Sequence, residues 1–341
     1  MGLSVGIAGF GLAGRVFHAP LVAAADGLSL ARVMTRSPDR AAQARDFGDD
    51  VAIVESVEEL VDGMDVVVVA TPNSSHVDVG LAALEAGAHV VVDKPIAVTA
   101  ADAQRLVDAG SGRVTVFQNR RWDGDFLTVR RLIGEGTLGE VIRFESRFER
   151  FRPQIKEGWR EGGDPALGGG VLLDLGPHVV DQAVELFGPP ESVYGEVAIR
   201  RPGAQVDDDA FIALQHAGGV VSHLWMSAIA PLYGARFRVS GMAAGFACDG
   251  LDPQEAQLRA GMRPGDPGWG ENASTADRAG RLARLDGEEP LALERGSYER
   301  FYAGVRDWTR GETPPPVDPG GAVRVLEILE TARDSRARRA Q

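Results

Sequence analysis

Lys94, Asp174 and His178 are the residues whose types and settings could move protons and stabilise developing charge. Lys94 ends the run His89-Val90-Val91-Val92-Asp93 and stands just before Pro95; among 36 basic residues it is one of only two lysines, the other being Lys156. Arginine stays charged at any accessible pH, whereas a lysine ammonium can share or release a proton. Lys94 is therefore a candidate for chemistry as well as for a plain solvated strand end. Asp174 and His178 lie four residues apart in Val171-Leu172-Leu173-Asp174-Leu175-Gly176-Pro177-His178. On a helix they share a face one turn apart, where the carboxylate can orient the imidazole and raise its basicity, as a general base near neutral pH requires. The plainer alternative is an ion pair with no catalytic role. Pro177 weakens the helical reading, because it removes a donor from the segment.

These residues need elements to hold them. Residues 3 to 9 form a short apolar run, followed by Gly9-Phe10-Gly11-Leu12-Ala13-Gly14 and a helical pattern to about Ala25. A GxGxxG between a strand and a helix is a dinucleotide loop: Gly9 turns the chain, Gly11 lets backbone approach a pyrophosphate, and Gly14 lets the helix pack close. The helix start offers N–H groups to the anion. After the next strand, 28 to 35, the position where an NAD-binding chain places an acid holds Thr35, with Arg36 and Ser37 beside it. Hydroxyl donors and an arginine suit a 2'-phosphate, so the expected cofactor is NADP, with NAD as the alternative.

Strand-like runs at 51–54, 65–70, 88–92 and 114–118 alternate with helical stretches near 38–46, 57–62, 74–87 and 99–110, which predicts a doubly wound parallel sheet. In such sheets ligands sit at the carboxyl ends of the strands, where Thr71-Pro72-Asn73 and Asp93-Lys94 fall. His76, just beyond, is either a cofactor contact or an ordinary first-turn helix residue. From Glu140 onward the pattern is period-two, at 140–151, 192–200, 208–216, 219–229 and 235–240, with one long helix at 171–187 inserted. This predicts a Rossmann domain over 1–120 and, over 121–341, an α+β domain with a large open, mostly antiparallel sheet. Residues 261–296, rich in Gly, Pro, Asp and Glu, read as irregular surface, and helices are expected near 297–310 and 320–337.

Composition narrows the function classes. At 341 residues with 44% apolar and 25% charged residues, the chain has the make-up of a two-domain globular protein. A net charge of −13 repels phosphate backbones, which argues against nucleic acid; the arginines at 333, 336, 338 and 339 read as a solvated helix end. The lone Cys248 cannot pair internally and no zinc spacing exists, so no metal is expected. No basic signal region, acylation motif or run of about 20 apolar residues is present, and a cytoplasmic location is expected.

Taken together, Gly9 to Gly14, Asp93-Lys94-Pro95 and Gly169-Gly170 through Asp174 to His178 resemble the glucose-fructose oxidoreductase, inositol dehydrogenase and MocA family over essentially the whole length. Asp93 departs from the family's usual Glu. The runs Gly11 to Pro20, Asn119 to Phe126, Asp174 to Gln182 and Trp269-Gly270 look like those of NADP-dependent scyllo-inositol dehydrogenases within it. The resemblance implies hydride transfer between NADP and a ring carbon of a polyol or sugar, with Lys94 on the reacting oxygen, His178 as base and Asp174 holding it. Asn119, Arg120, Trp122, Trp159 and Arg160 are candidate substrate contacts, although a Trp is more often core. Other outcomes on this machinery are an aldose dehydrogenase, a keto-sugar reductase or a glycosidase working through retained cofactor; from another class comes a catalytically silent dinucleotide sensor. An open sheet needs its outer face covered, and the family pairs subunits there, so a homodimer or homotetramer is implied.

Overall fold

In the computed structural model, residues 2–48, 50–156, 158–272 and 279–337 are described. The chain divides into two compact units, one made of 1–122, 253–270 and 297–323, the other of 123–252, 271–296 and 324–341.

The first unit is built on six strands, β1 (Leu3–Ala8), β2 (Leu28–Met34), β3 (Ala52–Val54), β4 (Val66–Val69), β5 (His89–Val92) and β6 (Val114–Val116). They pair in the order β3-β2-β1-β4-β5-β6, all parallel. Every residue of β4 is fully buried, which is why that run carries four valines and no polar alternation: a parallel strand covered on both faces has no solvent side. The connecting helices are α1 (Ala19–Ala23), entered through a wide turn over Ala13–His18, then α2 (Pro38–Arg45), α3 (Val57–Val61), α4 (His76–Glu85) and α5 (Ala100–Gly110). Ser37, Ser56 and Thr99 cap α2, α3 and α5 by accepting a backbone N–H three residues on.

The second unit begins with α6 (Gly124–Gly134) and β7 (Val141–Glu149), passes α7 (Trp159–Gly162), and reaches the long helix α8 (Val171–Phe187). Then come β8 (Pro190–Ala198), β9 (Asp209–His216), β10 (Val221–Ser227), β11 (Phe237–Gly241), β12 (Gly245–Cys248), β13 (Gly280–Arg284) and β14 (Gly287–Leu291). The eight strands run β14-β13-β12-β11-β7-β10-β9-β8, antiparallel except for β7 beside β10. The fold class expected from the sequence, a parallel Rossmann sheet plus an α+β domain with a large mostly antiparallel sheet, is the one observed.

Two expectations are corrected. Residues 261–296 are not wholly irregular, since β13 and β14 form a hairpin at the sheet's edge, turning at Leu285-Asp286. An outermost strand has no partner to lose on its far side, so β14 tolerates Pro290 and two glutamates, and its composition reads as loop. Pro177 does not interrupt α8, which runs unbroken through it. Arg338 and Arg339 lie outside the described residues.

Helices α9 (Gln254–Arg259), α10 (Glu299–Thr309) and the start of α11 (Pro319–Ala337) belong to the first unit, although the sequence division placed 121–341 in one domain. The reason is visible in their contacts. Trp308 of α10 stacks edge-on against His89 at 4.6 Å and donates to Gly112 O, and Val317 exchanges hydrogen bonds with the buried Thr115 of β6. Tyr302 buries its hydroxyl 2.7 Å from His18 Nδ1, in a cluster with Phe117 and Phe301. Burial drives the His18 pKa down to about 4, opposed by nearby Asp93 and helped by His76.

The orientation of α8 is fixed at its start. Gly170 takes φ +95°, and a Cβ there would lie 2.5 Å from the Asp207 carboxylate, so only glycine admits that acid. Asp207 accepts from Leu172 N at 2.7 Å while its own carbonyl accepts from Val171 N at 2.9 Å. Burial raises the Asp207 carboxyl above its ordinary range, countered by the Leu172 N–H and by Arg333 at 3.7 Å. Further along, Gly176 gives way to Leu329 of α11, whose methyl would stand 2.7 Å from a Cβ.

Removing the cap with Asp207→Ala is expected to cost about 1 kcal/mol, with Asp207→Asn retaining most of it, as read by urea denaturation at pH 7. A second outcome concerns His18, whose folded pKa lies below the unfolded value. The unfolded chain then takes up the proton first, so stability is lost as pH falls from about 6.5 toward 4, by on the order of 3 kcal/mol. Urea midpoints across that range should flatten in His18→Gln; an unchanged slope would show that His18 is not among the titrating groups.

Candidate active site

The carboxyl ends of β1, β2, β4 and β5 lie along one edge of the first unit's sheet, and the loops that leave them are laced together. Gly9, at φ +90°, sits so close to the next loop that a Cβ would be 2.8 Å from Ala70 O. Gly14 is tighter still, since a Cβ there would be 2.2 Å from Gly9 O, which lets the turn Ala13–His18 start directly against the strand end. Gly11 is different. It has no positive φ, and nothing in the protein lies within 4 Å of a Cβ built there. Neither conformation nor internal packing asks for glycine at 11, so the space beside its backbone is where a group from outside the chain can come close. The loop therefore fits a dinucleotide phosphate: Gly9 and Gly14 shape the turn, Gly11 keeps the approach open, and the N–H groups from Leu12 onward face the same end.

Phe10 is buried and packs edge-on against Phe47 at 6.2 Å, and the Arg263 guanidinium lies over Phe47 at 4.6 Å. Leu12 is exposed. At the end of β2, Thr35 Oγ1 accepts from Ser37 N at 3.3 Å and Ser37 Oγ accepts from Arg40 N at 3.4 Å, so both hydroxyls keep their protons to donate. Arg36 is exposed beside them. After β4, Ser75 Oγ bonds Thr71 Oγ1 at 2.9 Å and Pro72 O at 2.8 Å, fixing the turn, with Asn73 buried within it.

After β5, Asp93 turns back on the chain and its Oδ1 accepts from Lys94 N at 2.8 Å. Lys94 is half-buried at this edge. His76, for which the sequence left cofactor contact open, is fully buried with Nδ1 2.9 Å from Pro95 O and Nε2 2.9 Å from Thr71 O. Its ring nitrogens hold the two loops rather than facing outward.

Asn119, Arg120 and Trp122 fall in a short helical turn following β6. Arg120 is buried and paired with Glu255 at 3.0 Å, while Trp122 stacks edge-on against Phe301 at 5.6 Å. These contacts tie the turn to α9 and α10, and they are the packing roles that compete with substrate contact.

In the second unit, α8 places Asp174 and His178 one turn apart on a common face. His178 is buried with its ring 5.9 Å from Phe148 of β7, and Asp174 is partly exposed, 4.0 Å from Arg150. Arg160 is exposed in α7; the side chain of Trp159 lies outside the described residues. Arg150 was not singled out from the sequence, where it is one arginine among many, and only the pairing of β7 with α8 brings it to Asp174. Nor did any local signal join His18 and Tyr302, 284 residues apart, to the neighbourhood of Asp93.

Comparison with known proteins identifies the family. Residues 3–118 match the oxidoreductase family with an NAD-binding Rossmann fold, and residues 126–247 match the GFO/IDH/MocA C-terminal domain. The chain is 41% identical to the uncharacterized oxidoreductase YdgJ of Escherichia coli (strain K12), over 99% of this chain and 97% of that protein. It is 34% identical to the scyllo-inositol 2-dehydrogenase (NADP(+)) IolW of Bacillus subtilis (strain 168), over 98% of this chain and 93% of that one. The solved structure of yvaA from Bacillus subtilis superposes with a TM-score of 0.91 at 32% identity, covering 99% of this chain and 98% of that one. With a glycine loop shaped for a dinucleotide at one strand edge and both family regions matched, the chain belongs to the Gfo/Idh/MocA oxidoreductases, and it is a dehydrogenase acting on CH–OH groups.

Proposed function

We propose that this protein is an NADP-linked dehydrogenase of a cyclic polyol, an inositol above all. The observation that carries the substrate class is the near full-length likeness to IolW, which is itself a scyllo-inositol 2-dehydrogenase. The cofactor, when bound, supplies the nicotinamide carbon that exchanges hydride with the substrate ring.

The chain's own residues do the rest. His178 takes the proton of the reacting hydroxyl as its carbon gives up hydride and the C=O bond forms; in the reverse direction it returns that proton. Asp174, one turn earlier on α8, orients the imidazole and accepts from a neighbouring hydroxyl, with Arg150 fixing the carboxylate. Lys94 donates to the reacting oxygen and stabilises the negative charge that grows there, an interaction worth a few kcal/mol in a site shielded from water. Thr35 and Ser37 donate to the 2'-phosphate, and Arg36 pairs with its charge. Asn119 and Arg160 supply polar contacts to the substrate.

The reading also takes in self-association. The sheet face opposite α8 carries Phe211 and Trp225 at 5.1 Å with Arg147 stacked 3.8 Å over Trp225, a half-buried aromatic surface suited to a second copy of the chain. Cytoplasmic location is part of the same reading. Among the described residues no helix is long and apolar enough to cross a membrane.

A panel of inositols and aldoses with NADP and NAD tests the proposal, scored by stoichiometric cofactor reduction. Turnover of inositols with NADP is expected. Tight NADPH binding without turnover of any polyol or sugar would mark a silent dinucleotide sensor and reject it. Lys94→Ala should lower kcat on the best substrate by about 10²–10³ and His178→Ala by about 10²–10⁴, with NADPH binding retained in His178→Ala; loss within tenfold for either would remove its assigned role. Arg36→Ala should weaken NADP relative to NAD by about tenfold in kcat/KM, and an unchanged ratio would place the cofactor preference elsewhere.

A further inference from the structure

His76 stands between two carbonyl oxygens. Its Nδ1 lies 2.9 Å from Pro95 O and its Nε2 2.9 Å from Thr71 O. A carbonyl oxygen can only accept, and a neutral imidazole carries one N–H and one bare lone pair. A neutral ring can satisfy either contact, and the other then sets lone pair against lone pair in a buried place. Only the imidazolium, with two N–H groups, makes both bonds at once.

The two carbonyls belong to different loops of the candidate cofactor edge. Thr71 starts the turn after β4, and Pro95 follows Lys94 directly after β5. Of the charged and titratable groups that act on His76, Asp93 and Lys94 come from the β5 loop and His18 from the turn after the glycine loop. Burial is the largest influence on His76 and lowers its pKa; Asp93 and the two carbonyls oppose that, and Lys94 adds to it. His18 stays neutral well below this range, at about 4, so it does not take the proton first.

We propose that His76 is a positioning residue whose second proton completes a tie between the β4 and β5 loops: as imidazolium it donates to both Thr71 O and Pro95 O, and as neutral imidazole it releases one of them. Lys94 is one residue from the tie, so the peptide beside it is joined through the ring to the β4 loop only in the protonated form. Because burial sets the His76 pKa below the ordinary 6.5, the tie closes as pH falls through that lowered pKa and loosens as pH rises back through it. The consequence for cofactor binding rests on the proposed dehydrogenase function; the tie itself does not.

The test uses the whole chain labelled with ¹⁵N in its histidine rings, titrated between about pH 4.5 and 8. The His76 signals are assigned by subtraction of a His76→Gln spectrum. Should that variant not fold, couplings from the ring nitrogens to the Thr71 and Pro95 carbonyl carbons in the native chain make the assignment. Two protonated ring nitrogens appearing below pH 6.5, with the amide signals of Lys94, Ile96 and Asn73 shifting at the same midpoint, are expected. A ring that keeps one proton through the range, or amides that do not follow it, overturns the tie. NADPH affinity should improve about three- to tenfold across the same midpoint, and this pH-dependent component should vanish in His76→Gln, which also subtracts the titration of the cofactor's own phosphate. A tie seen by resonance with no matching change in affinity supports the tie and counts against the cofactor reading of this edge, so the two failures are distinguishable.

Discussion

Much of the first unit depends on one close approach, that of Gly9 and Gly14 at the end of β1. With 2.2 Å between the Gly9 carbonyl oxygen and the place of a Gly14 Cβ, no side chain fits, and the turn Ala13–His18 can begin against the strand. That contact sets the path of the chain beyond it. It brings His18 down onto Phe117 and Tyr302, so α10, which lies far along the chain, is bonded to the helix that leaves the glycine loop. The same strand end presses Gly9 against Ala70, which sets the β1 and β4 loops side by side. Gly11, between them, is the one glycine of the loop that the protein does not use for itself.

The second unit solves a different problem, how to aim a helix that carries a base. A carboxylate from the loop before β9 meets the N-terminus of α8 where backbone donors have no helical partner, and only Gly170 gives it room. Gly176 then lets α11 approach. Asp174 sits between these two fixed points and His178 just past the second, so the cap and the packing of α8 set where along the helix both residues stand.

Much of this was legible in the sequence. The valine runs and the GxGxxG between strand and helix specify a parallel sheet because each is a local pattern with a single physical meaning. Strands β7 to β11 were legible from alternation, and the span of α8 was read to the residue. Most of what could not be read depends on which distant segments meet. The return of α9 and α10 to the first unit rests on Trp308 against His89 and Val317 against Thr115, pairs that no periodicity announces. Pro177 looked like an interruption because propensity counts the lost donor and not the packing around α8. Hairpin β13–β14 looked irregular because an edge strand needs no continuous apolar face. Of the site residues, Lys94 and the glycines stood out by type and spacing, whereas Arg150 needed the fold to bring it beside Asp174.

Asp93 is the point where sequence and structure explain each other. By sequence it is a shortening by one methylene of the acid usual in the family. In the structure its carboxylate stays near its own backbone and accepts from Lys94 N at 2.8 Å, a bond that fixes the peptide carrying the lysine. The same charge favours the protonated form of His18, His76 and Tyr302; at the two histidines it opposes the larger lowering by burial, and at Tyr302 it adds to the raising by burial. A glutamate would carry its charge one methylene further from the strand end and would have to fold back to reach that N–H. The aspartate therefore trades reach for rigidity: it holds the backbone of Lys94 from within the loop.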